Sequence, residues 1–302
     1  MRRLLVLAGA LCLVAACSAG TASTPNQSAS VRTALGMAAT QTVHRELTVG
    51  GRKRTYLAVG PQVRKAGLPL LVVLHGRGIS AQQESDRTGF LTYAERGLVN
   101  IVYPSGISES WNAGHGCCGV AAKEGVSDVP FITALVSDAT KFFDADSRRV
   151  YLVGYSNGAK LGFTTVCAHP GLFAAMATYG AVPLARCSDD TPIPALISAG
   201  TADPLVKAEH SAPSASAAIE ETVADWRSRD ACTTSATKRI GPLTLTTWTG
   251  CRGGVEVASG LYAGVTHYWP SAGKTAAPFT TPVGPEAAAG TVMWDFLSTK
   301  RL

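Results

Sequence analysis

The chain has 302 residues, 46% of them hydrophobic, and its 27 Lys and Arg against 21 Asp and Glu give a net charge of +6. That is enough apolar material for a sizeable core, and the basic residues are scattered in pairs such as Arg148-Arg149 rather than gathered in a patch, which argues against a nucleic-acid partner. No internal repeat divides the chain.

The chain opens with Arg2 and Arg3, followed by an apolar run from Leu4 to Ala16 that is too short for a mature bilayer span and has the shape of an export signal. Residues 1–16 are therefore expected to be removed. The run ends in Val14-Ala15-Ala16-Cys17, which resembles a bacterial lipobox, so Cys17 is the expected acylation site and new N-terminus, with simple cleavage and secretion as the competing outcome. Acylation would make a lipid anchor the only membrane contact, and more than one acyl chain is needed for durable anchoring. Residues 17–40 are rich in Ser, Thr, Ala and Gly with almost no charge, a composition that builds no core and reads as a flexible tether. Residues 41–302 are read as one domain.

Within that domain Thr42–Val49 and Arg54–Val59 alternate around Gly50-Gly51, the pattern of an opening β-hairpin. Short apolar runs follow at Leu70–Leu74, Ile101–Tyr103, Val150–Val153, Ala174–Thr178 and Ala195–Ser198, as expected of strands buried on both faces. Between them lie helical patterns. The clearest is Asp128–Phe143, with Ser127 as N-cap, Pro130 in the first turn, and Ile132, Leu135, Val136, Ala139 and Phe143 on one face. A last amphipathic helix covers Val292–Leu297, with Trp294 facing the sheet. Strands alternating with helices imply an α/β fold with a mostly parallel central sheet flanked by helices.

Six of the eight cysteines lie beyond the export segment: Cys117, Cys118, Cys167, Cys187, Cys232 and Cys251. An even set in an exported chain suggests disulfides. Joining the adjacent Cys117 and Cys118 would strain the ring they close, so each is expected to reach a distant partner, Cys167 and Cys187 in unspecified order, leaving Cys232 with Cys251. A zinc site is the alternative, but no CxxC or HxxxH spacing supports it, and no metal or other cofactor is expected.

The most informative segment is Val150–Gly158, where an apolar strand pattern stops at Gly154 and presents Ser156 two residues before Gly158, ahead of the helical pattern Ala159–Ala168. A G-x-S-x-G between strand and helix is a nucleophile elbow, in which the glycines let strand and helix cross closely and the serine hydroxyl is pushed into the open. Such a serine needs a base and an orienting carboxylate, in the chain order Ser, Asp, His. Asp203 fits the second place, because Gly200-Thr201-Ala202-Asp203-Pro204 directly follows a strand. Asp189 and Asp190 precede that strand, and Asp225 and Asp230 belong to a helical segment. Of the six histidines, His44, His75 and His115 precede Ser156, His169 ends the elbow helix, and His210 shares the loop of Asp203, which leaves His267 as the base. The oxyanion donors are expected to be the backbone N–H of Asn157 and that of Arg77 in the His75-Gly76-Arg77-Gly78 turn. The Arg77 side chain is expected to be solvated at the site's mouth, the other reading being contact with an anionic substrate.

Six separate motifs carry a family likeness: His75-Gly76-Arg77-Gly78, Ser110-Trp111-Asn112-Ala113-Gly114 with Cys117-Cys118-Gly119, the helix start Asp128–Phe131, Gly154-Tyr155-Ser156-Asn157-Gly158, Gly200-Thr201-Ala202-Asp203, and His267-Tyr268-Trp269-Pro270. The domain resembles the single-domain polyhydroxybutyrate depolymerase and feruloyl esterase group of the α/β-hydrolases, which includes lipid-anchored actinobacterial esterases. The resemblance implies a Ser156–Asp203–His267 triad, a carboxylic ester as substrate, of polyester or plant cell-wall type, and Trp111, Trp269 and Tyr155 flanking the cleft. For both tryptophans a buried core ring is the equal alternative. Departures from the pattern are Ala159 and Ile79 where glycines are usual, Ser127 where aspartate is common, and Thr266 for the glycine before the histidine. None removes a catalytic group. An acyl transferase of the same fold and a non-catalytic lipid-anchored binding protein are the competing functions, and fold alone does not decide among them.

Overall fold

The computed structural model describes residues 39–209, 212–273 and 277–302, which belong to one compact unit. The expected signal segment, Cys17, all but the last two residues of the expected tether, and His210 lie outside the described residues. Among the described residues no helix is long and apolar enough to cross a membrane.

The opening hairpin forms as expected, with β1 (Thr40–Val49) antiparallel to β2 (Arg52–Pro61). The apolar runs become β3 (Leu70–Leu74), then β4 (Asn100–Pro104), β5 (Val150–Tyr155), β6 (Ala175–Tyr179) and β7 (Ala195–Gly200). Near the C-terminal third come β8 (Thr234–Ile240), β9 (Leu243–Thr249) and β10 (Val257–Tyr262). All ten join one sheet in the order β1-β2-β4-β3-β5-β6-β7-β10-β9-β8. The six central strands, β4 to β10 in that order, are parallel to their neighbours, and both margins are antiparallel.

Alternation along the central strands divides their apolar side chains between two cores. Leu70, Val72, Leu74 and Leu152 face α4 (Asp128–Phe143), α5 (Asn157–Ala168) and α7 (Ala215–Arg229), while Leu71, Val73, Tyr151 and Val153 face α1 (Ala81–Thr88), α2 (Leu91–Glu95) and α8 (Ala289–Leu297). Two short helices, α3 (Gly119–Lys123) and α6 (Pro204–Glu209), lie in loops at the C-terminal ends of strands. A separate pair, β11 (Trp269–Ala272) and β12 (Thr280–Val283), follows β10. Trp294 of α8 stacks on Tyr93, with ring centroids 4.9 Å apart, and meets Tyr151 of β5 edge-on, so it packs toward the sheet as expected.

Two expectations are corrected. Ser127 occupies the N-cap position of α4, but its side chain makes no capping hydrogen bond. The start of that helix is fixed instead by Asp128, whose carboxylate takes a bond from the buried Arg54 guanidinium of β2 at 2.6 Å and another from the Asn112 N–H at 2.7 Å. The second correction concerns the cysteines. Cys117 and Cys118 are joined to each other across a cis peptide, and Cys167 pairs with Cys187, their Cα atoms 5.1 Å apart. Lys160 near the start of α5 touches Cys117 Sγ at 3.7 Å, whereas Cys167 lies seven residues further along that helix, about 10 Å away by helical rise. The loop carrying Cys117 and Cys118 is bonded back on itself, Ala113 N–H to the Cys117 carbonyl at 2.6 Å and Cys118 N–H to the Trp111 carbonyl at 2.9 Å, which keeps the two cysteines beside each other. Cys232–Cys251 closes as expected, at the base of the β8–β9 hairpin.

Candidate active site

Ser156 occupies the one-residue turn between β5 and α5, with φ +53° and ψ −120°, a backbone conformation rarely adopted outside glycine and held here by its surroundings. Its own N–H is tied to the Tyr179 carbonyl of the neighbouring strand at 2.9 Å. The flanking glycines permit the crossing: a Cβ on Gly154 would lie 2.5 Å from Ala159 Cα, and one on Gly158 would collide with the Leu74 carbonyl oxygen. Strand, turn and helix are thus locked by sterics that the five-residue motif itself encodes.

Asp203 follows β7 and is buried at the entrance to α6. Its Oδ1 accepts the Leu205 and Val206 N–H groups at 2.9 and 3.1 Å, the N-terminal capping arrangement of a helix. Its Oδ2 lies 2.8 Å from His267 Nδ1, and His267 Nε2 lies 2.9 Å from Ser156 Oγ. The structure therefore brings together all three residues that chain order singled out. Two tyrosines that pattern reading did not assign to this task hold the histidine loop: Tyr155 donates its hydroxyl to the His267 carbonyl at 3.0 Å and Tyr179 to the Thr266 carbonyl at 3.1 Å. Burial pushes both phenols above their ordinary range, so they stay neutral donors.

The turn after β3 and the first turn of α5 meet beside Ser156. Gly78 donates to the Glu109 carbonyl at 2.8 Å and Ile79 to the Gly76 carbonyl at 3.3 Å, which pins the turn carrying Arg77. Arg77 lines the same cleft as Ser156 and its side chain is exposed. Asn157 is clamped by its side chain, which accepts the Trp111 N–H at 2.7 Å and donates to the Trp111 carbonyl at 3.1 Å. His75 braces the turn from within. Its Nδ1 donates to the Gly76 carbonyl at 2.8 Å, its Nε2 accepts the Gly106 N–H at 2.9 Å, and its carbonyl accepts the Trp111 indole N–H at 2.8 Å. Burial is the main reason its pKa falls to about 4, and a neutral ring suits this one-donor, one-acceptor pattern.

Trp111 and Trp269 are both fully buried, so the expectation that they flank the cleft is corrected in favour of core rings. Trp111 lies under the His75 turn at 4.6 Å between ring centroids, and Trp269 packs among Phe90, Tyr155 and Tyr179. Tyr155, the third expected residue, does line the cleft floor, which opens over Ser156 and His267 with a volume of about 520 Å³. Its apolar rim comes from residues that sequence reading passed over: Leu205, Tyr268 and Phe279, exposed by 49%, 47% and 43%. The Tyr268 and Phe279 rings meet edge to face at 6.1 Å. Only the exposure of large apolar groups marks them, and that is invisible before folding.

A mostly parallel sheet that presents a serine on a strand-to-helix elbow, with histidine and aspartate on later loops in hydrogen-bond sequence, defines an α/β-hydrolase. The family model described as Esterase PHB depolymerase matches residues 54–222, more than half of the chain, and the chain belongs to that family. The matched segment carries Ser156 and Asp203, and His267 lies beyond it. Among relatives, a Nocardia uniformis protein named "Putative esterase NocK" is 32% identical over 54% of this chain and 49% of its own length. An acetylxylan esterase of Coprinopsis cinerea is 30% identical over 44% of this chain and 36% of its own length. The alignments thus span half or less of these relatives. Among solved structures, an acetyl xylan esterase from Aspergillus awamori shares the fold with a TM-score of 0.56 at 15% identity, over 74% of this chain and 94% of that one. The LpqC poly(3-hydroxybutyrate) depolymerase of Bordetella parapertussis does so at 0.50 and 18%, over 78% and 87%.

Proposed function

We propose that the protein is a serine esterase that hydrolyses carboxylic esters through an acyl-enzyme. The observation that carries this reading is the continuous chain from Ser156 Oγ to His267 Nε2 at 2.9 Å and from His267 Nδ1 to Asp203 Oδ2 at 2.8 Å, opening on a cleft. His267 takes the Ser156 proton as Oγ attacks the ester carbonyl carbon, and Asp203 holds the imidazole in the tautomer that leaves Nε2 free to accept. The carbonyl oxygen becomes an oxyanion received by the backbone N–H groups of Asn157 and Arg77, whose supports are the Trp111 clamp and the His75 brace. His267 returns the proton to the departing alkoxide, releasing an alcohol. Water, deprotonated by the same imidazole, then attacks the acyl carbon, and the imidazolium returns that proton to Ser156 Oγ as it leaves, releasing the acid and restoring the enzyme.

The relatives' names make acetyl, feruloyl and hydroxybutyrate esters the substrates to try. Hydrolysis of at least one of them by the wild type, lost in both Ser156→Ala and His267→Ala, supports the proposal, and a folded wild type inactive on all three would sink it. Added acceptor alcohol distinguishes transfer from hydrolysis, since a transferase would return a new ester in place of free acid. The export reading of residues 1–16 and the acylation of Cys17 belong to the same proposal and place the enzyme outside the cell, secreted or anchored on the membrane's outer face. A Cys17→Ser variant should leave the membrane fraction, and unchanged retention would contradict the lipid anchor.

A further inference from the structure

Beneath the cleft floor a fully buried ion pair serves none of the steps above. Arg87 and Glu84 of α1 have side-chain exposures of 2% and 0%, with Arg87 Nε and Nη2 at 2.8 and 2.7 Å from Glu84 Oε2. Replacing such a pair by apolar side chains of similar volume is often neutral or stabilising, so its presence calls for a use other than stability. The third arm of the guanidinium supplies one. Arg87 Nη1 donates to the Phe279 carbonyl at 3.1 Å, and the Trp269 N–H donates to the same oxygen at 2.9 Å. The face of the guanidinium covers the Tyr155 ring at 4.1 Å.

Phe279 is independently unusual. Its φ is +61°, in the left-handed region that a bulky side chain enters only when neighbours impose it. The conformation presents its ring at the cleft rim against Tyr268. Resting on the esterase reading of this cleft, we propose that Arg87 is a positioning residue that holds Phe279 in its left-handed conformation, so that the Phe279–Tyr268 edge grips the apolar part of the ester. The planar fork suits this task and a lysine ammonium does not, because one group must reach Glu84 along one edge, Phe279 along another, and lie flat on Tyr155.

The test compares the kcat/KM ratio for methyl 3-phenylpropanoate over methyl acetate in wild type, Phe279→Ala, Arg87→Met/Glu84→Met and the three changes combined. The Met pair removes both charges together, so no lone carboxylate is left buried. The ratio should fall roughly tenfold in Phe279→Ala and in the Met pair, about the worth of one aromatic contact, and no further when all three are combined. An unchanged ratio in the Met pair, or falls that multiply, would overturn the proposal. Calorimetric binding of 3-phenylpropanoate to Ser156→Ala, with and without the Met pair, reads the same contact without turnover. An inactive wild type would therefore defeat the esterase reading while leaving this test in force. Should the Met pair fail to fold, Arg87→Lys supplies a second test: its loss of Tm should be smaller in a Phe279→Gly background, where glycine adopts positive φ unaided, and equal losses in both backgrounds would contradict the assignment.

Discussion

The elbow and the rim of this cleft are built in opposite ways. Around Ser156 the geometry is dictated locally: Gly154, Ser156 and Gly158 lie within five residues, and each glycine is required by a backbone atom that a Cβ would strike. The rim is assembled from afar. Phe279 is held by Arg87, 192 residues earlier in the chain, and faces Tyr268 across a separate segment. Local construction gives a rigidly placed serine whose position tolerates almost no substitution, whereas remote construction lets the cleft edge vary without disturbing the elbow.

Changes at the elbow and triad should therefore act on kcat, and changes at the rim on KM. The largest effect is expected for Ser156→Ala, a loss in kcat on the order of 10⁶-fold, read from steady-state hydrolysis of an acetyl ester. Asp203→Asn should cost about 10⁴-fold, because an amide at this place favours the wrong imidazole tautomer for the Ser156 bond. Asn157→Ala leaves its backbone N–H in the chain but removes the clamp on Trp111, and a displaced oxyanion donor should lower kcat about 10²-fold with KM little changed. A KM effect there instead would erase the distinction between the two regions.

His75 sharpens the comparison through pH. Its folded-state pKa of about 4 lies below the ordinary 6.5, so between those values the unfolded chain binds a proton that the folded one refuses. Its contribution to stability is complete above about 6.5 and is lost as pH falls through that window, on the order of 2 kcal/mol by pH 5. Urea midpoints at pH 7 and pH 5 should differ accordingly in wild type and differ less in His75→Gln, which has no titrating ring. The smallest effect is expected at the rim: Tyr268→Ala should raise KM for an aryl ester a few-fold and leave the Ser156–His267–Asp203 geometry intact.

What the sequence revealed follows the same division. The parallel core was legible because strands buried on both faces read as short apolar runs, and the hydrogen-bonded Ser156–His267–Asp203 arrangement was legible because the elbow fixes one residue and chain order constrains the others. The β8–β9 hairpin escaped notice because Thr234–Ile240 is almost wholly exposed and Leu243–Thr249 is rich in threonine, so neither carries an apolar signal. The Cys232–Cys251 pair was legible, but the pairing of Cys117, Cys118, Cys167 and Cys187 was not, because the sequence carries no distances that set Cys167 beside Cys187. Trp111 and Trp269 were candidates for the cleft only through the family resemblance, with a core ring as the equal alternative, and both are struts beneath it. Arg87 and Phe279 had no motif to announce them.

The most direct test of the central claim is labelling of the purified, disulfide-intact protein with a fluorophosphonate, with mass spectrometry to locate the adduct, beside Ser156→Ala and His267→Ala. The account predicts one adduct on Ser156 in the wild type and none in either variant. A folded wild type that takes no label, or takes it at another residue, would contradict it.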